Sequence, residues 1–178
     1  MVYIVMGVSG SGKTIVGGLL AEGLGLPFHD GDDFHSVGNV EKMRRGEPLT
    51  EEDRVPWLFD LALHIARWNQ RGGAVLACSA LKERYRGMLG WNGNEAVIFV
   101  YLRGDAGLIR RRMEAREGHF FPPGLLESQF ADLEEPRDAV TVSIDGSPVE
   151  ICGRIIEALE RRGMRRHHEV EGERCQDR

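Results

Sequence analysis

The chain has 178 residues, of which 42% are hydrophobic and 29% charged, with a formal net charge of -5. That length buries one sizeable core but not two, and the acidic balance disfavours the electrostatic attraction that nucleic-acid binding relies on, so a small molecule is the expected partner. Cys78, Cys152 and Cys175 are odd in number and widely spaced, no apolar run approaches the roughly 18 residues of a membrane span, and no room precedes the first strand for a signal peptide; a soluble, cytoplasmic protein without disulfides, zinc or a membrane partner is expected.

Along the chain, short apolar runs alternate with helical periodicity, the pattern of a parallel sheet covered on both faces by helices. Strands are predicted at 2–6, 27–30, 74–78, 97–102 and 140–144, and helices at 13–24, 56–71, 82–89, 105–116, 124–133 and 149–162. The helix at 56–71 rests on Leu58, Leu61, Ala62, Ile65 and Trp68 at helical spacing, with Pro56 in its first turn and Gly72-Gly73 past its end. Residues 31–55 and 118–124 lack a clean period and are rich in charged residues, Gly, Pro or His. Both follow an element end, where ligands of open α/β sheets bind. A single domain over 1–162 is expected, with a substrate-binding segment at 31–57, a mobile lid at 116–124 and a disordered tail at 163–178.

Directly after the first strand, Gly7-Val8-Ser9-Gly10-Ser11-Gly12-Lys13-Thr14 fills every slot of G-x-x-x-x-G-K-[ST]. Glycines at these positions turn backbone N–H groups inward around phosphate oxygens, Lys13 reaches the outer phosphates and the Thr14 hydroxyl is placed to ligate Mg²⁺. This implies ATP or GTP but leaves the acceptor open. Asp30-Gly31-Asp32-Asp33 ends the second strand in carboxylates, which a phosphoryl acceptor needs to orient and deprotonate its hydroxyl and which Mg²⁺ needs directly or through water. Gly31 permits a turn that brings Asp30 and Asp32, at i and i+2, together.

Arg54 suits either a clamp on an anionic acceptor or a surface pair with Asp53 or Glu52. Trp57 reads as packing, and Cys78 as a small buried hydrophobe. Lys82, Arg84 and Arg86 put positive charge at a helix start after the third strand. Arg112 and Arg116, one helical turn apart, lead into a Gly/Pro-bounded loop holding His119, as suits a lid that adds charge at the transferring phosphoryl and excludes water.

Together these segments resemble the gluconokinase family, small P-loop sugar-acid kinases related to shikimate kinase and the nucleoside monophosphate kinases. The strings that carry the resemblance are Met6 to Thr14, Asp30-Gly31-Asp32 with His35, Asn39 and Lys42-Met43, Gly46-Glu47-Pro48-Leu49 with Asp53-Arg54 and Pro56-Trp57-Leu58, Cys78-Ser79-Ala80-Leu81-Lys82 with Tyr85-Arg86, Arg116-Glu117-Gly118-His119-Phe120, and Ser128-Gln129-Phe130 with Leu133-Glu134. The resemblance implies a three-layer α/β sandwich of the P-loop NTPase type, with a five-stranded parallel sheet as in nucleoside monophosphate kinases. It also implies a homodimer that phosphorylates D-gluconate at its 6-hydroxyl with ATP and Mg²⁺. Carried onto this chain, it gives catalytic roles to Lys13, Asp32 and Arg116, metal binding to Thr14 and Asp30, and nucleotide binding to Gly7 through Thr14 with Arg112. Acceptor binding falls to Asp32, His35, Arg54, Lys82, Arg86 and His119. Ser36 stands where the family commonly has Pro, which predicts a less rigid segment after it, and the chain after Pro136 looks shorter than the family pattern near the adenine edge. A kinase for another small acid or a nucleotide, and a nucleotide-binding regulatory module without turnover, are the alternatives; Lys13, Thr14, Asp32 and Arg116 together argue against the second.

Overall fold

Val2–Met6 is apolar at every position and buried throughout, which suits a strand with helices over both faces. In the computed structural model, which describes residues 1–90, 97–114 and 123–163, with the backbone alone at 123–125, this strand is β1. It pairs in parallel with β3 (Ala74–Ala77) on one side and β4 (Val97–Arg103) on the other. Adding β2 (Phe28–Asp30) and β5 (Val140–Ser143) completes a five-stranded parallel sheet in the order β2-β3-β1-β4-β5. From β1 the chain goes to the edge strand β2, returns to β3 beside β1, and then crosses to β4 and β5 on the other side, so the crevice beyond the carboxyl end of β1 is the switch point where such sheets bind ligands.

Alternation along β1 divides the core in two. Tyr3 and Val5 join Val16 and Leu20 of α1 (Lys13–Leu24), Ile109 of α5 (Ala106–Glu114), and Ile151 and Ile155 of α7 (Pro148–Arg161). Val2, Ile4 and Met6 point the other way, onto Leu58, Leu61 and Ile65 of α3 (Glu51–Gln70) and Leu89 of α4 (Glu83–Leu89). Each of these fully buried aliphatic side chains contributes about 1.5–3 kcal/mol relative to exposure. The result is the expected three-layer sandwich, with α6 (Pro123–Asp132) docked on the first core through Leu126.

The segment 31–55 is more ordered than its sequence suggests. A 3-10 turn (Gly31–Phe34) follows β2, and then α2 (Val37–Arg44). Ser36 caps α2 by accepting from the Asn39 N–H at 3.2 Å, so this position starts a helix. Helix α3 begins five residues earlier than predicted, because Thr50 and Asp53 form a reciprocal capping box. Pro56 therefore sits inside the helix, and the carbonyl it leaves without an N–H is that of the exposed Glu52. The expected lid at 116–124, with Arg116 and His119, and the expected tail from 164 onward lie outside the described residues, apart from the start of α6.

Candidate active site

The phosphate loop gets its shape from Gly12, which caps α1 in the left-handed conformation at φ 95° with no side-chain cap, a conformation costly for any residue with a Cβ. The first amides of α1 are thus left facing the crevice, as an anion site requires. Lys13 Nζ donates to the Val8 carbonyl at 3.2 Å, which leaves two of its three N–H groups for phosphate oxygens. Burial lowers the Lys13 pKa, and the charges of Asp32, Cys78 and Asp30 work against that shift.

The end of β2 brings both carboxylates to the same place. Asp30 Oδ2 accepts from the Thr14 hydroxyl at 2.8 Å, while its Oδ1 accepts from the Asp32 N–H at 3.1 Å and so caps the 3-10 turn. The turn needs Gly31, since a Cβ there would lie 2.9 Å from the Ala77 carbonyl. By donating to Asp30, Thr14 keeps its oxygen lone pairs for a cation. No group of three or more His, Cys, Asp or Glu side chains is placed to hold a metal among the described residues; the Thr14 hydroxyl and the Asp30 carboxylate, bonded to each other, are oxygens of the kind that Mg²⁺ takes beside water and phosphate.

Lys13, Asp30, Asp32, His35, Arg54 and Trp57 line one cavity of about 290 Å³. The Trp57 indole N–H donates to the Gly31 carbonyl at 2.9 Å, and its ring stacks on His35 with centroids 4.2 Å apart. Trp57, read from sequence as packing, therefore holds the carboxylate turn from behind. Asn39 Nδ2 donates to the Asp53 carbonyl at 3.0 Å, which fixes its amide orientation. The same Nδ2 lies 3.4 Å from His35 Nδ1, so Nδ1 accepts and Nε2 carries the proton, 3.9 Å from Asp32 Oδ1. Burial lowers the His35 pKa; Asp32 opposes this and Arg54 reinforces it. His35 thus presents its Nε2–H toward Asp32.

The cations are sorted by their partners. Arg54 Nε donates to the Leu49 carbonyl at 3.2 Å, its guanidinium lies 5.7 Å from the Tyr85 ring centre, and it faces the cavity. Lys82, expected at the substrate, is not among the residues that line the cavity; it is ion-paired with Asp132 at 3.1 Å and Glu51 at 3.4 Å. Glu51 also accepts from Tyr85 Oη at 2.5 Å and pairs with Arg84. Arg86, expected at the substrate, is turned inward: its Nη1 donates to the Ala80 and Leu81 carbonyls at 3.0 and 2.8 Å, bracing the loop after β3. Arg112 Nη2 donates to the Ile144 and Gly146 carbonyls at 2.6 and 3.0 Å and anchors the β5–α7 loop. Burial pushes the Cys78 thiol up to about 12, so this cavity-lining cysteine is no nucleophile.

Three further cavity residues, Ser128, Gln129 and Asp132, come from α6 and had no assigned role in the sequence. Beyond them, Glu134 accepts from the Glu83 N–H at 2.6 Å and caps α4, whose own N-cap residue Lys82 makes no side-chain cap. These contacts join segments about 50 to 120 residues apart, which no local signal announces.

The phosphate loop residue Lys13, the carboxylates of Asp30 and Asp32, and Arg54 meet around one cavity, an arrangement that suits phosphoryl transfer. The shikimate kinase family model matches residues 9–160. The chain is 44% identical to a probable gluconokinase of Mus musculus, over 89% of this chain and 97% of that protein. It is 41% identical to the thermoresistant gluconokinase of Escherichia coli K12, over 90% and 94%. The crystal structure of a gluconokinase from Sinorhizobium meliloti 1021 superposes with a TM-score of 0.83 at 41% identity, covering 89% of this chain and 91% of that one. The chain belongs to the gluconokinase family of P-loop kinases.

Proposed function

We propose that the protein transfers the terminal phosphoryl group of ATP to the 6-hydroxyl of D-gluconate, giving 6-phospho-D-gluconate and ADP. The observation that carries this reading is the shared cavity of Lys13, Asp32 and Arg54, which sets a phosphate cation, a carboxylate base and an anion clamp around one space in a chain of this family. Lys13 and the first amides of α1 hold the donor phosphates. Asp32 orients the 6-hydroxyl and takes its proton as the oxygen bonds to phosphorus and the bond to ADP breaks. His35 Nε2–H serves as a hydrogen-bond donor to a neighbouring hydroxyl, and Arg54 pairs with the sugar-acid carboxylate. Thr14 and Asp30 fit a Mg²⁺ shell, the ion supplying charge neutralisation on the phosphates when bound. Arg116 is assigned to the transferring phosphoryl as a lid residue, and His119, from the same lid, to the acceptor.

The same reading includes a homodimer. On α3, Val55, Phe59 and Leu63 recur every four residues on one face and are 46%, 50% and 39% exposed, a stripe suited to a second copy of the chain. No helix among the described residues is long and apolar enough to cross a membrane, and the cytoplasm, with its ATP and reducing poise, suits the free thiols of Cys78 and Cys152.

An ADP-release assay over gluconate, other sugar acids, shikimate and nucleoside monophosphates tests the reaction. Turnover with gluconate that requires Mg²⁺ is expected. Turnover with AMP but not gluconate, or ATP binding without turnover on any acceptor, refutes it. Light scattering after size exclusion should give a dimer that Phe59→Glu converts to monomer.

A further inference from the structure

The tip of the phosphate loop is fastened from outside its own turn. The Ser9 N–H donates to Gln129 Oε1 at 2.6 Å, and Gln129 Nε2 donates to Ser9 Oγ at 2.9 Å. One side-chain amide thus grips both the main chain and the side chain of one loop residue, using its acceptor and its donor at once. The bonds the loop makes within itself converge on Val8: Ser11 N–H to the Val8 carbonyl at 3.2 Å, and Lys13 Nζ to the same oxygen. Neither reaches Ser9. Gln129 is held in turn by α6, whose Leu126 and Phe130 pack into the core beneath the loop and whose Asp132 lines the cavity with Lys13, Asp32 and Arg54.

We propose that Gln129 is a positioning residue for phosphoryl transfer. By clamping Ser9 to α6, it fixes the loop that carries the phosphoryl donor relative to the cavity wall that receives the acceptor. The proposal rests on the kinase reading above. In-line transfer is sensitive to the separation of donor and acceptor, and a displacement of about 1 Å costs on the order of 10²-fold in rate. The Ser9 N–H is committed to Gln129, so the ground-state hold on the phosphates falls to Lys13 and the α1 amides. Loss of the clamp therefore falls on kcat and spares ATP affinity.

The test compares Gln129→Ala and Gln129→Met, the second keeping bulk without the hydrogen bonds, with Ser9→Ala and the double variant Ser9→Ala/Gln129→Ala. Gluconate kcat should fall on the order of 10-fold to 10²-fold in both Gln129 variants, with the ATP Kd by calorimetry changed by less than about threefold. Ser9→Ala should cost less than Gln129→Ala, and the double variant no more than Gln129→Ala alone, because the hydroxyl arm is already lost. Hydrogen exchange at the Ser9 amide should quicken in both Gln129 variants. Unchanged kcat in Gln129→Met, or a loss confined to ATP Kd, overturns the proposal. A wild-type protein without gluconate turnover overturns the reaction reading instead, and exchange at Ser9 then decides the clamp: quickening supports it and no change overturns it.

Discussion

Trp57→Phe isolates one hydrogen bond at the base of the site. Trp57 is 8% exposed, donates to the Gly31 carbonyl at 2.9 Å and stacks on His35. Phenylalanine keeps a ring against His35 but has no donor, so the Gly31 carbonyl loses the indole and keeps the bond that the 3-10 turn itself supplies. The lost buried hydrogen bond costs about 0.5–1.5 kcal/mol, and the missing part of the indole adds about 1 kcal/mol for lost volume. At about 2–4 °C per kcal/mol for a chain of this size, these terms together lower Tm by about 3–10 °C. The released turn carries Asp32, so gluconate kcat should also fall, by on the order of 10-fold, while ATP affinity, which depends on the other side of the crevice, persists. Trp68→Phe is the control. That tryptophan is on the same helix and stacks on His29 at 4.1 Å, so it reports ring loss away from the cavity. Thermal melts and the ADP-release assay on both variants decide the matter. If Trp57→Phe melts with the wild type, or loses no more than Trp68→Phe in both Tm and kcat, the reasoning about the carboxylate turn is wrong.

Asp32→Ala should lower gluconate kcat by about 10²–10⁴-fold with ATP still bound; retained turnover would place the base elsewhere. Stability should depend on pH through two histidines. Burial lowers the His35 and His29 pKa from the ordinary 6.5, with Arg54 adding at His35, against the pull of Asp32, and His64 adding at His29. Below pH 6.5 the unfolded chain therefore binds protons that the folded chain refuses, and the stability present above that pH is lost as pH falls toward the folded values. The Tm measured from about pH 7.5 down to about pH 5 should fall, and His29→Asn/His35→Asn should flatten the slope; an unaltered slope in that double variant rejects the assignment. Glu134→Ala removes the cap on α4, at a cost of about 1 kcal/mol, and Tm should drop by about 2–4 °C, whereas wild-type melting would show that the cap contributes nothing.

What could be read from the sequence follows from where the information resides. The strand Val2–Met6 is legible because burial on both faces leaves an unbroken apolar run, and the phosphate loop because its whole ligand set is one contiguous string. Helix α2 is not, since its eight residues include Val37 at 77% exposure and leave only Asn39 buried, which gives no apolar stripe. The start of α3 carried two competing signals, and the Thr50–Asp53 box prevailed over Pro56 because a proline early in a helix strands only one carbonyl, here a solvated one. For the cations, sequence gives the charge but not its partner. Arg54 had Asp53 and Glu52 as candidate neighbours, yet Asp53 is taken by Lys42 at 2.7 and 2.8 Å and by the Thr50 cap, and these bonds hold its pKa down at about 2. Glu51, the next carboxylate along, is occupied by Tyr85, Lys82 and Arg84. Arg112 and Arg86 are held by main-chain carbonyls in the same way. Asp53 and Glu51 are thus occupied by other partners while Arg54 faces the cavity, and those pairings join residues 3 to 34 positions apart. Substrate specificity here therefore depends as much on which charges the fold neutralises as on which residues the chain encodes.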